Sequence, residues 1–219
     1  MKELKYTLIA DGRSDSILMN IINWLLNNLF PQLPVKGMFA DFAFLEEPPK
    51  KLNEKIKYAR HYYPYDILFV HRDAESTSKH VIINRIEEIQ REIQEEEEIL
   101  KTICIIPVKM MEAWLLINAD AIKKAAGNRN YSEKIKLPPI NQIEKLPDPK
   151  DDLHKLLRAV SGRKGRYLKK FNVHQAVHLV AENIDDFSVL RNVTAFQFFE
   201  ADLQIVLERF IMENQTTLK

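Results

Sequence analysis

The sequence carries a single cysteine, Cys104, which excludes an internal disulfide and fits a reducing compartment. It also lacks a charge imbalance. Its 32 lysines and arginines face 31 acidic residues, so any electrostatic partner has to be sought in local clusters. A membrane-length apolar run is missing too: the most apolar stretch, Ile17 to Phe30, is interrupted by Asn20, Asn23, Asn27 and Asn28 and is too short. The opening MKELKYTLIADGRSD reaches acidic residues too early for a secretory signal, so a cytoplasmic protein with no membrane association is expected. There is no Gly-x-x-x-x-Gly-Lys loop for ATP and no Gly-x-Ser-x-Gly elbow. What is present is an ordinary globular balance, 46% hydrophobic and 29% charged over 219 residues, enough for a sizeable core in one or two domains.

The first half alternates strand and helix signals. YTLIA, Tyr6 to Ala10, is a β-rich run stopped by Asp11-Gly12, and apolar residues from Ile17 to Leu29 then recur at helical spacing. Val35 to Phe44 holds a weaker strand candidate, and Lys50 to Tyr62 reads as a helix after Pro48-Pro49. ILFV, Ile67 to Val70, and TICIIPV, Thr102 to Val108, are buried strands on either side of one long helix expected from about Lys79 to Leu100. The acid run Glu95 to Glu98 at its end is expected to be a solvated face. Strands apolar throughout and separated by helices imply a mostly parallel sheet covered on both faces. Met111 to Ile117 and Ala119 to Ala126 read as helical, closed by Gly127-Asn128, and three amphipathic helices are expected in 151–161, 173–184 and 196–212. The layout is an α/β core over residues 1–130 followed by a helical extension over 131–219.

Ligands of open α/β sheets bind beyond the carboxyl ends of the strands. Three such places are acidic here: Asp11 and Asp15 after the first strand, Asp73 and Glu75 in HRDAES, and Glu112 in MMEAWLL. Carboxylates converging on one edge repel one another unless a cation or protons compensate, and oxygen ligands suit hard divalent cations such as Mg²⁺. Each also has a structural reading. Asp11 could start an Asp-Gly turn, Asp15 could complement a helix N-terminus, and the others could be caps or loop charges. Their joint placement argues for a site, and His71, beside Asp73, is the histidine nearest to it in sequence.

An acid followed by glycine after the first strand (LIADGRSD), then an Asp-x-acid pair after a later strand (FVHRDAES), resembles the Toprim domain of topoisomerases, primases and the overcoming-lysogenization-defect (OLD) nucleases of phage defence. The likeness covers roughly the first 115 residues. The strings PVKMMEAWLLINADAIKKAAGN and FNVHQAVHLVAENIDDFS further resemble small bacterial Toprim-like proteins often encoded beside ATPases. The resemblance implies a Toprim-like α/β fold, a Mg²⁺- or Mn²⁺-dependent nuclease acting on DNA or RNA, and an ATPase partner. By position, Asp11 would be the first-strand acid, a metal ligand or general base; Asp73 and Glu75 would hold Mg²⁺, with Glu112 and Asp15 as auxiliary ligands. The chain departs from the family twice, with Asp11 where glutamate is usual and Glu75 where the pair has aspartate. A non-catalytic nucleic-acid-binding or regulatory subunit with a degenerate site is therefore the alternative.

Between Leu153 and Phe171 the chain carries seven basic residues and no acid: Lys155, Arg158, Arg163, Lys164, Arg166, Lys169 and Lys170. Such a run can neutralise phosphates without reading sequence, and Gly162 and Gly165 would let backbone approach one. His174, His178 and Glu182 have a spacing that could hold zinc, but Gln175 stands where the metalloprotease pattern needs glutamate, and the flanking valines read as an amphipathic helix. Cys104, Trp114, Leu115 and Leu116 read as core.

Overall fold

The computed structural model describes residues 2–76, 80–93 and 96–216. Four parallel strands, β1 (Leu4–Ile9), β2 (Val35–Phe39), β3 (Ile67–His71) and β4 (Thr102–Ile105), form one sheet in the order β2-β1-β3-β4. The fold is the expected α/β class, a parallel sheet flanked by helices with a helical C-terminal part. The chain leaves β1 towards β2 and leaves β3 towards β4, in opposite directions. β1 and β3 are hydrogen-bonded neighbours, so the sheet has its topological switch point between them.

β3 is buried at every position, which is why it reads as a continuous apolar run. On one face, Tyr6 and Phe69 meet edge to face at 5.2 Å. The Tyr6 hydroxyl donates to Asn23 in α1 (Leu18–Leu29) at 2.8 Å. The same face receives Phe199 of the long C-terminal helix, whose ring lies 6.1 Å from Phe69 and 6.4 Å from Trp114. On the other face the Thr7 hydroxyl donates to the carbonyl of Tyr63, at the end of α2 (Leu52–Tyr62).

The segment after β3 differs from the single helix expected. α3 spans Val81–Glu92, and a short turn, α4, spans Glu96–Ile99. Between them Ile93 takes an extended conformation and buries its side chain, ending α3. Lys79 and Glu95, at the ends of the expected helix and acid run, lie outside the described residues. Glu98 is not part of a solvated face. It is buried, and it accepts from the Arg60 guanidinium at 2.6 Å and from the Tyr65 hydroxyl at 2.7 Å, tying α2 to the turn before β4. The weaker strand stops at Phe39, and Met111–Leu115 forms a fully buried 3-10 turn.

Residues beyond 130 pack into the same buried cluster as the sheet. α5 (Ala119–Ala125) starts on Asn118, whose side chain accepts from the Ala121 amide, and ends before Gly127 at φ 72°. α6 (Pro149–Val160) starts on Asp148 with proline in its first turn, packs on the 3-10 turn, and precedes the five-residue α7 (Gly165–Lys169). α8 (Val173–Glu182) packs on α5, and α9 (Thr194–Thr216) covers β4. Among the described residues, no helix is long and apolar enough to cross a membrane.

Gly37 pairs with Tyr6 across β1 and β2, and a Cβ there would lie 2.1 Å from the Tyr6 ring. The ring is fully buried and pinned by Asn23, so it cannot swing aside. Gly37→Ala should therefore destabilise the fold by about 1–3 kcal/mol through overpacking. Urea denaturation measures this, and an unchanged midpoint would mean that the ring has room to move.

Candidate metal and phosphate site

The strand ends dictate where the acids go. Asp11 follows β1 by two residues and Asp73 follows β3 by two, so the β1–β3 pairing sets both loops side by side at the switch point. A cleft of about 430 Å³ opens there, lined by Asp11, Asp15, His71, Arg72, Asp73, Glu75 and Arg85. Four of the five expected carboxylates thus share one cleft. The fifth, Glu112, sits in the buried 3-10 turn after β4, and its charge acts on Asp73.

Asp73 is the centre of this arrangement. Its Oδ1 accepts from the Met111 amide at 3.1 Å, joining the loop after β3 to the loop after β4. Burial pushes its carboxyl up to about 6, with further upward contributions from Glu112 and Asp15; His71 and the Met111 amide oppose the shift. His71 is buried, with Nδ1 3.0 Å from the Ile105 carbonyl. A carbonyl can only accept, so Nδ1 carries the proton and Nε2 faces Asp73 Oδ1 at 3.6 Å.

The remaining carboxylates have protein partners. Asp15 accepts from the Gly12 amide at 3.0 Å and the Ser14 hydroxyl at 3.1 Å. Lys55 of α2 binds Asp11 and the Ala10 carbonyl, each at 3.1 Å. Arg85 of α3 reaches Glu75 at 3.3 Å and also donates to the Asp73 carbonyl. Lys150 of α6 lies 3.6 Å from Glu112. Asp11 and Glu75 are at the solvent rim, with side chains 71% and 77% exposed. Among the described residues, two non-glycine residues hold left-handed backbone, Glu75 at φ 58° and Lys109 at φ 66°, one in each of the loops joined through Asp73.

Among the described residues, no three histidine, cysteine, aspartate or glutamate side chains stand grouped to hold an ion. Mg²⁺ asks for less, since it keeps several waters and commonly takes one or two protein carboxylates. The Asp73 carboxylate, raised first by burial and then by the charges of Glu112 and Asp15, would suit such a cation.

The basic segment is exposed throughout at Lys155, Arg158, Arg163, Lys164, Arg166, Lys169 and Lys170. Lys155 pairs with Asp151 one helical turn away, so part of its charge is spent locally. Arg163 lies over the Phe171 ring at 5.1 Å and Arg166 over the Tyr167 ring at 5.0 Å. Gly162 and Gly165 take positive φ, 65° and 52°, on either side of Arg163 and Lys164. In α8 the valines at 173, 177 and 180 are buried while His174 and Glu182 are exposed, the pattern of an amphipathic helix. Cys104 is buried, and its burial pushes the thiol up to about 12, as suits a core residue.

Sequence reasoning missed the cations. Lys55, Arg85 and Lys150 come from three different helices, and nothing in their local sequence marks them as partners of the acids. Arg72, inside HRDAES, could have been found: it forms a two-pronged ion pair with Glu92 at the cleft wall. No known family, curated protein or solved structure matches the chain.

Asp73 also makes a pH prediction for the metal-free protein. Between its ordinary value of 3.8 and about 6, the folded protein holds a proton that the unfolded chain has released. The cost of the charged carboxylate is therefore absent below about pH 4, grows through that interval and is complete above about pH 6. Asp73→Asn should stabilise the protein at pH 8 in EDTA and do nothing at pH 4. A full two-unit shift would correspond to about 3 kcal/mol, which we discount to about 1 kcal/mol because the side chain is over a third exposed. Thermal melts across that range measure it; an equal gain at both pH values would remove the electrostatic explanation.

Proposed function

We propose that the protein is a divalent-metal-dependent phosphodiesterase, a nuclease acting on DNA or RNA. The observation that carries this reading is the half-buried Asp73 carboxylate in the switch-point cleft, on which the charges of Asp15 and Glu112 act. Asp73 and Asp15 would hold Mg²⁺ or Mn²⁺, with Glu112 behind them and Asp11 and Glu75 at the rim. When bound, the ion supplies Lewis acidity at the phosphoryl oxygen and a water acidified for attack on phosphorus.

The chain's own groups do the rest. Arg72 and Arg85 line the same cleft, so an entering phosphodiester meets guanidinium donors as well as carboxylates. The His71 Nε2, fixed by the Ile105 carbonyl behind the ring, stands ready to take a proton beside Asp73. The exposed residues of the basic segment supply attraction to the phosphate backbone that does not depend on sequence. The resemblance to Toprim-like proteins motivates two further parts of the proposal, an ATPase partner and a role in phage defence. Purification from the native host tests the partner: recovery of the chain alone and fully active would sink it.

One observation favours the second reading, a nucleic-acid-binding or regulatory subunit with a degenerate site. Asp11, Glu75 and Glu112 each have a protein cation within 3.1, 3.3 and 3.6 Å, so three of the five acids are already partly neutralised.

Asp73→Asn decides between the two readings, because it keeps the shape and the hydrogen bond from Met111 while removing the charge. Cleavage of a labelled oligonucleotide in Mg²⁺ or Mn²⁺ should fall by at least about a hundredfold, the scale of removing one electrostatic stabiliser of a transition state. Calorimetry should show metal affinity lost while oligonucleotide binding stays. A wild-type chain that takes no divalent ion at millimolar concentration would leave the binding-subunit reading.

Changing Arg163, Lys164 and Arg166 together to alanine should weaken binding about equally across sequences and lower the salt slope by about one per lost phosphate contact. An unaltered slope in binding titrations from 50 to 300 mM salt would make the segment ordinary solvated surface.

A further inference from the structure

The most aromatic part of the surface lies away from the basic segment, on α2 and the loop after β2. Phe44, Tyr58 and Tyr62 are 59%, 39% and 44% exposed, an unusual cost for large apolar rings in water. They are packed on one another. Phe44 meets Tyr62 edge to face at 5.1 Å, His61 meets Tyr62 at 4.6 Å, and Phe42, buried beneath, touches Tyr58 at 6.3 Å. Tyr58 and Tyr62 are one helical turn apart with planes within 11° of parallel and centroids 6.3 Å apart. The packing holds their faces in a common orientation without covering them.

This array is continuous with the cleft. Lys55, Tyr58 and Tyr62 are spaced i, i+3 and i+7, so they share one face of α2. Lys55 touches Asp11 at the rim of the cleft, and Tyr62 lies about 10 Å further along the helix axis, the length of about three stacked nucleotides. Lys51, at the N-cap of α2, and Lys57, within it, are both exposed. Glu46 and Glu47, exposed on the loop after Phe44, oppose their charge, so ring faces rather than phosphate neutralisation would carry the affinity here.

We infer that this face binds the unpaired bases of a single-stranded nucleic acid and feeds the strand into the cleft. The inference rests on the nuclease reading above and narrows its substrate class. Bases in a duplex have their faces covered by their neighbours, whereas unpaired bases can stack on aromatic side chains regardless of sequence. Lys51, at the helix start on the same face as Lys55, Tyr58 and Tyr62, suits a strand with an anionic backbone better than an apolar protein partner, which gains nothing from it.

The test measures anisotropy of fluorescein-labelled dT12 and of a 12-base-pair duplex in EDTA, which prevents cleavage. Wild type should bind dT12 at least about tenfold tighter than the duplex. Tyr58→Ala with Tyr62→Ala should lower dT12 affinity at least about tenfold, since alanine replacement of a stacking ring typically costs ~1–3 kcal/mol per base. Tyr58→Phe with Tyr62→Phe should restore it, because the ring is what matters. Equal affinity for duplex, or unchanged dT12 binding in the alanine variant, overturns the inference. So does a variant that only shifts sedimentation from dimer to monomer, which would make the face a self-association surface. Hydrolysis of bis(p-nitrophenyl) phosphate with Mn²⁺ is read alongside. Its absence in wild type with dT12 binding intact defeats the nuclease reading alone; its presence with dT12 binding indifferent to the tyrosines defeats the strand platform alone.

Discussion

The parallel pairing of β1 with β3 is the constraint from which the site follows. Because the chain leaves these two strands in opposite directions, their following loops diverge and a crevice opens between them. Asp11 and Asp73 each fall two residues past a strand end, so the register that pairs Ile9 with Val70 also places these acids at the crevice. The pairing of β3 with β4 adds the third loop. There the Met111 amide holds Asp73 Oδ1, and Glu75 and Lys109, one in each loop, take left-handed backbone. Strain of that kind persists only where surrounding structure over-determines it, and the buried 3-10 turn from Met111 to Leu115 supplies the rigidity.

Charge is distributed around the crevice unevenly. α2 gives Lys55 to Asp11, α3 gives Arg85 to Glu75, and α6 gives Lys150 to Glu112. Among the described residues, Asp73 has His71, at 3.6 Å, and one backbone amide, which do not offset its burial. A fold that neutralised every acid would have no use for a cation, and one that neutralised none would be hard to hold together without it. The helices supply cations to Asp11, Glu75 and Glu112, while Asp15 relies on the Gly12 amide and the Ser14 hydroxyl. Lys150 also makes α6, from the C-terminal half, a contributor to the site formed by the first half.

The fold was legible because its strands are apolar at every position and its helices carry clear periodicity, and both signals survive without tertiary context. The acids were legible for the same reason: a strand end can be located in sequence, and the strand-end rule then assigns the acids. The cations were not, since Lys55, Arg85 and Lys150 look like any exposed helical lysine or arginine until three helices are packed. Glu98 misled by its neighbours. In a run of acids it reads as solvated, yet it turns inward to Arg60 and Tyr65. At Ile93, buried in an extended conformation, a helix ends that periodicity alone would have continued. The exposed rings of α2 were hidden by ordinariness: tyrosines at positions 58 and 62 fit an amphipathic helix, and only the arrival of Phe44 from the β2 loop makes a surface of them.

Two lysines link the crevice to two different kinds of surface. Lys55 stands at the start of the aromatic face of α2, and Lys150 in the first turn of α6, whose later exposed residues include Lys155 and Arg158. α2 and α6 therefore both begin at the acidic site and run away from it, one presenting rings and the other leading into positive charge. A strand crossing the crevice could have bases held on one side and phosphates on the other, with Asp73 between. Stacking fixes where a nucleotide lies but tolerates any sequence, while a basic run attracts any phosphate backbone but fixes little. On the proposed reading, each surface would supply what the other lacks, the division expected of a site that positions a phosphodiester without choosing its bases.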